Sequence, residues 1–163
     1  MRKLYIFFLL LNMAPNFARS QASCTDKPEC WPEGSAMRTG IVLANKQEGT
    51  ERLLAQEHER LVKLVSSSVA EGIGQDERLL SALKTQEEAW LKYRNEECEL
   101  IGALTGAGGS WPSTYAVQCE SNHTDQRLRR VRSAIACIEK IPAESRSFDQ
   151  NRCLQQLAPL TNR

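Results

Sequence analysis

The sequence predicts an all-α protein, an antiparallel helical hairpin or small bundle of three to four helices stapled by disulfides. Three observations carry this. Apolar residues recur at three- and four-residue steps in several segments, the spacing of one helix face. Glycine and proline clusters cut the chain into pieces of helical length. No segment alternates apolar and polar residues as a half-buried strand does, and no internal repeat or low-complexity tract occurs.

The first residues stand outside that fold. Arg2 and Lys3 precede an almost unbroken apolar run, Leu4 to Leu11, and small residues from Ala18 to Ala22 offer a cut after Ala22. The run is well short of the ~20 residues a membrane span needs, so residues 1–22 read as a secretory signal peptide. A lipidated Cys24 is the alternative, but Gln21 stands where an aliphatic residue is wanted. No later stretch is apolar enough to span a bilayer, and the expected location is periplasmic or secreted.

Cleavage removes Arg2, Lys3 and Arg19 and no acid, leaving 18 basic residues against 20 acidic, a net charge of −2 in place of +1. That balance has no electrostatic footprint for nucleic acid. About 140 residues remain, enough for one domain with a modest core. All six cysteines lie beyond residue 22, an even count that in an exported chain argues for three disulfides. The pairing stays open: Cys24–Cys30, Cys98–Cys119 and Cys137–Cys153 each suit the helices as read. Zinc-type cysteine and histidine spacing is absent, with His58 and His123 isolated, so no metal and no cofactor is expected.

Cys24 to Ser35 holds two cysteines, two prolines and a glycine and reads as a loop. Helical character starts near Arg38. A first helix is expected over about Gly49 to Ala70, with Leu53, Leu54, Leu61, Leu64, Val65 and Val69 on one face and Gly72 and Gly74 ending it. Asp76 is the expected N-cap of a second helix, whose inward stripe is Leu79, Leu80, Leu83, Trp90, Leu91, Cys98 and Ile101. Glu88 and Lys92 form an exposed pair on it. Gly102 to Gly109 and Pro112 break it. A third helix starts near Ser113 to Ala116, turns Val117, Thr124, Leu128, Val131, Ile135 and Ile138 inward, and stops at Pro142. A fourth, about Glu144 to Leu157, brings Phe148, Leu154 and Leu157 onto the bundle. The chain thus divides into signal peptide (1–22), a Cys/Pro-rich loop segment (23–48), the helical domain (49–140), and a short C-terminal helix and tail (141–163).

The pattern Gln86-x-x-Ala89-Trp90-Leu91-x-Tyr93-Arg94-x-x-x-Cys98, the turn Gly108-Gly109-Ser110, and Cys119-x-x-x-x-Thr124-x-x-Arg127 together resemble the LprI-type lysozyme-inhibitor domain family. The resemblance spans about Arg52 to Ile138 and is strongest over Gln86 to Arg127. Upstream the chain departs from it: Leu54-Ala55-Gln56-Glu57-His58 stands where members carry Leu-Asn-x-x-Tyr, and the members' N-terminal Gln-x-x-(Met/Leu)-Asn-x-Cys motif has no counterpart. The resemblance implies an exported helical hairpin with a Cys98–Cys119 bridge. It also implies a protein partner, a lysozyme, and a structural signature of Gln86, Trp90, Tyr93, Arg94, Thr124 and Arg127.

Read from chemistry alone, these residues have two uses. Trp90 and Arg94 lie four apart on one face, where a guanidinium stacks on an indole. They belong either to a binding surface or, with Gln86, Thr124 and Arg127, to a polar network between the second and third helices. Cys98 and Cys119 close roughly 20 residues, worth ~3 kcal/mol. The segment Gly106 to Tyr115 reads as a long loop on a stapled base, and Ser110, Trp111 and Tyr115 are the candidate partner contacts. A second candidate is the short Cys24–Cys30 loop with Asp26, Lys27 and Glu29, similar in kind to the Cys-bounded loop with which unrelated Ivy-type inhibitors plug the lysozyme cleft. No Ser/His/Asp, Cys/His or phosphate-loop arrangement occurs, and Glu87/Glu88 and Glu96/Glu97 read as solvated faces, so no catalytic residue is assigned. The function expected is protein binding, by inhibition of a lysozyme or related peptidoglycan-cleaving enzyme. The alternative is a periplasmic interaction protein, an immunity or envelope factor.

Overall fold

A computed structural model describes residues 24–69 and 76–158 of the chain. The expected signal peptide, the end of the first helix with Gly72 and Gly74, and the last five residues lie outside them. Short 3-10 turns at Cys24–Asp26 and Pro28–Cys30 precede the first helix, α1, Ala36–Val69. Its start is set by Ser35, whose Oγ accepts a hydrogen bond from the Arg38 amide at 3.3 Å, an N-cap arrangement. The helix therefore begins well before the expected Gly49. Its first turns lack an apolar stripe because they pack through small and polar residues. Thr114 Oγ1 donates to the Ala36 carbonyl at 2.9 Å, and buried Gln47 donates to Glu120 Oε2 at 2.7 Å.

Helix α2 spans Asp76–Leu104, α3 Trp111–Glu139 and α4 Arg146–Leu154, the last flanked by 3-10 turns at Ala143–Ser145 and Gln155–Leu157. No strand occurs among the described residues. Lys46 pairs with Asp125 and Arg60 with Glu139, so α1 and α3 run parallel. Cys98 bonds Cys119 and Glu87 pairs with Arg127, so α2 runs against both. The result is an up-down-up bundle with α3 at its centre, packed along α1 and α2, while those two touch only sparingly. The strands of contact expected for an antiparallel hairpin are those of α2 and α3.

The apolar core fills one half of the bundle. Leu61 and Val65 of α1, Leu83 of α2, and Val131, Ala134, Ile135 and Ile138 of α3 meet there, closed by Leu154 and Leu157. Cys137–Cys153, with Cα atoms 5.6 Å apart, pins α4 across the end of α3. Several residues expected inward face out: Phe148 is 82% exposed, and Leu53, Leu91 and Ile101 are also exposed. On α2 the line that reaches the interior runs through 83, 87, 90, 94, 98 and 102, the 3.6-residue period, which leaves Leu91 and Ile101 to one side. Two of its members, Glu87 and Arg94, are charged. The expected Glu88–Lys92 pair is replaced by Lys92–Glu96 at 3.9 Å.

Cys98–Cys119 staples the other end, with S–S 2.04 Å and Cα atoms 5.4 Å apart. Helix α2 continues through Gly102 instead of breaking there, and the glycine serves a close approach: a Cβ at 102 would lie 2.5 Å from the Pro112 carbonyl oxygen. The break comes only at residues 105–110, where Gly106 and Gly109 take φ of +59° and +64°, a region costly for side chains. Cys30 is disulfide-bonded as well. The expected Cys24–Cys30 pairing lies outside the described side chains, since that of Cys24 is not among them.

Replacing Cys98 and Cys119 together by serine should lower stability by about 3 kcal/mol while leaving the far-ultraviolet circular dichroism helical, as read from denaturant midpoints. Gly102→Ala should cost about 1–3 kcal/mol by forcing α2 off α3, measured the same way.

Candidate functional site

Between the stapled end and the apolar half, two arginines are buried side by side. Arg94 is 5% exposed and Arg127 is 2% exposed. A buried guanidinium is tolerated only when its donors are taken up. Arg94 Nη1 donates to Glu51 Oε1 at 2.7 Å and to Thr124 Oγ1 at 2.8 Å, and its Nε and Nη2 reach Asn95 Oδ1. Thr124 in turn donates to the Glu120 carbonyl, and Gln47 bridges Glu51 to Glu120. Arg127 Nη2 donates to Glu87 Oε2 at 2.7 Å and also to Gln86 Oε1. Its Nη1 donates to the Leu157 carbonyl at 2.8 Å. The Trp90 ring lies against both guanidinium carbons, each 5.4 Å from its centroid. The geometry is a cation–π stack with two cations.

The structure thus brings Gln86, Trp90, Arg94, Thr124 and Arg127 into one interhelical network. Tyr93 stands outside it, exposed on α2, with its ring edge-on to His123 at 6.3 Å. Sequence reasoning missed the two carboxylates that complete the frame. Glu87, expected on a solvated face, has a side chain only 14% exposed. Glu51 carries no local signal because its partner lies 43 positions away. The signal available for Glu87 was its position on the line from Leu83 to Trp90. His58 and His123 are not isolated either: His58 Nε2 is 3.9 Å from Glu87 Oε2, and His123 Nε2 is 3.4 Å from Glu97 Oε2. Cys98, Cys119 and His123 lie close enough to suggest metal ligation, but the disulfide consumes both thiolates that a metal would need.

At the stapled tip the expected long loop is short. Only residues 105–110 are non-helical, and Trp111, Ser113 and Tyr115 belong to the first turns of α3. Ser110 occupies the N-cap position of α3, and its carbonyl accepts bonds from the Thr114 amide and the Ser113 hydroxyl. Its side chain makes no capping hydrogen bond. Trp111 and Tyr115 are 36% and 41% exposed and lie together, ring centroids 5.9 Å apart. Leu100, Ile101 and Leu104, spaced along one face of α2, are exposed at the same end. The Lys27 and Glu29 segment precedes α1 at this end too, and both residues are exposed.

A groove of about 510 Å³ separates α1 from α2, floored by Leu54, Ala55, Val62 and Leu91 and rimmed by Glu59 and Lys84. His58 closes its base. Burial pushes the His58 imidazolium below its ordinary 6.5, an effect only partly opposed by Glu87 and reinforced by Arg127. Its Nε2 makes no hydrogen bond.

Together these features define a class: a disulfide-stapled helical bundle with a buried ionic frame and an exposed aromatic tip. Among the described residues no helix is long and apolar enough to cross a membrane, and the two described disulfides fit an oxidising compartment. The family model described as lysozyme inhibitor LprI matches residues 30–130, and the chain belongs to that family. No curated protein and no solved structure matches the chain.

Two outcomes are expected of the frame. Glu87→Ala leaves Arg127 short of its charge partner and should cost about 3–5 kcal/mol in denaturant unfolding. Because the folded pKa of His58 is lowered, the unfolded chain binds the extra proton first: the His58 contribution should be intact above about pH 6.5 and lost as pH falls below it. His58→Leu should flatten that part of the stability–pH curve, measured by thermal unfolding across the acid range.

Proposed function

We propose that this chain is an exported, periplasmic or secreted protein that inhibits a lysozyme or related peptidoglycan-cleaving enzyme by seating its stapled tip in the enzyme cleft. Membership of the lysozyme inhibitor family supports the choice of partner. The observation that carries the surface is the Trp111–Tyr115 pair, two large side chains held out on a helix start whose backbone is fixed by Cys98–Cys119. Aromatic anchors on a rigid base lose little conformational entropy on binding. The action needs no cofactor and no covalent step, and no residue is assigned a catalytic role.

One observation favours a second reading. The turn is confined to residues 105–110, and the apolar stripe Leu100, Ile101 and Leu104 beside it is the kind of exposed helix face that packs against another protein. On that reading the chain is an envelope interaction protein or immunity factor without lysozyme inhibition.

Turbidity clearance by several lysozyme types distinguishes the two. The purified, disulfide-bonded protein should slow clearance by at least one type, and the Trp111→Ala/Tyr115→Ala variant should raise the inhibitory concentration roughly tenfold or more while unfolding at an unchanged midpoint. Unchanged inhibition by that variant moves the contact to the Lys27–Glu29 segment. Absence of inhibition against every type sinks the lysozyme reading.

A further inference from the structure

The face of the bundle turned away from α1 carries a second concavity that the tip and the frame do not use. A groove of about 580 Å³ lies between α2, α3 and the 3-10 turn at Gln155–Leu157, with Ala89, Tyr93, His123, Gln126 and Arg130 on its walls. A smaller hollow of about 210 Å³ continues it along α3, sharing Gln126 and Arg130 and adding Arg129, Ser133 and Gln156. Its combined size is that of a small-ligand site.

The charge of this groove is unlike that of the chain around it. No aspartate or glutamate lines either part. Arg127 at its base is already neutralised by Glu87. Arg129 and Arg130, by contrast, make no hydrogen bond or ion pair among the described residues, although other arginines such as Arg52, Arg60 and Arg132 are each matched to a glutamate. Two unmatched guanidiniums, both lining the smaller hollow and Arg130 also the larger groove, select an anion. The remaining polar groups are the amides of Gln126 and Gln156, the Ser133 hydroxyl, the Tyr93 phenol, whose pKa the hydrogen bond to Glu97 raises, and the His123 imidazole, 3.4 Å from Glu97 Oε2. The exposed Tyr93 ring offers an apolar edge beside them.

We infer that this groove binds an anionic sugar, a pyranose bearing a carboxylate or a phosphate, with Arg129 and Arg130 on the charge and Gln126, Gln156 and Ser133 on the hydroxyls. Neutral hydrogen-bonding groups outnumber the free cations and line a concave wall, which suits a small polyhydroxylated ligand better than an acidic protein loop. The site is separate from the tip and does not rest on the lysozyme reading.

The test is amide chemical-shift titration of the disulfide-bonded protein with N-acetylmuramic acid, glucose 6-phosphate, N-acetylglucosamine and acetate. Saturable shifts should cluster at residues 86–93, 123–133 and 155–157, with at least one of the two acidic sugars binding about tenfold or more tightly than either N-acetylglucosamine or acetate. Which acidic sugar binds more tightly identifies the anion. Arg129→Gln/Arg130→Gln should weaken that binding about tenfold or more at an unchanged unfolding midpoint, and should leave lysozyme turbidity curves as they are. Equal binding of the neutral sugar or of acetate, or no saturable shift in this groove, overturns the inference. So does loss of lysozyme inhibition in the double variant without sugar binding, which would make the groove a protein contact.

Discussion

Everything above the apolar half of this bundle depends on keeping two buried guanidiniums paired. Arg94 and Arg127 leave water almost completely on folding, and an unpaired charge there is costlier than the loss of a core methyl group. Their partners come from different elements. Arg94 ties α2 to Glu51 of α1 and Thr124 of α3, and Arg127 ties α3 to Gln86 and Glu87 of α2 and to the backbone at Leu157. A slip of any helix by one turn would strand at least one of these charges. The frame therefore fixes the rotation and register of three helices and the position of the returning chain end, a kind of specificity that apolar packing alone supplies less sharply.

That frame also divides the labour. Below it, leucine, valine and isoleucine side chains provide the burial, closed by α4 through Cys137–Cys153. Above it, where α1 packs through small and polar residues, the Cys98–Cys119 bridge and the close approach at Gly102 hold α2 and α3 together. At the tip beyond the bridge, Trp111 and Tyr115 pack on each other and remain partly exposed. The arginine-lined groove is built from other residues, on α2, α3 and the 3-10 turn at Gln155–Leu157.

The match between sequence and structure follows the range of each interaction. Periodicity located α2, α3 and most of the core because Leu79, Leu80 and Leu83 on one helix, and Leu128, Val131, Ile135 and Ile138 on the other, repeat within a few residues of one another. It failed where the inward face is not apolar. The first turns of α1 carry no apolar period because Gln47, Thr50 and the small residues near Ala36 bury polar and bare surface against α3. Glu87 has the sequence surroundings of a solvated residue because its neighbours are charged, and its partner Arg127 is 40 positions on. Phe148 is large and apolar like a core residue, although the short α4, turned by its disulfide, spends its inward positions on Gln150, Cys153 and Leu154.

By itself the sequence determined the fold class, the cysteine framework's oxidising context and, through the motif from Gln86 to Arg127, the family. These are local or compositional properties, written in helix period, cysteine count and short-range spacing. Only the tertiary structure decided which charges are buried, that Trp90 lies against two arginines, that the tip is a short turn opening directly into α3, and that Arg129 and Arg130 line a hollow without a carboxylate. The physical reason is that burial and pairing are properties of distance in space. Glu51 and Arg94, or Arg127 and the Leu157 carbonyl, meet only after three long helices have been laid side by side.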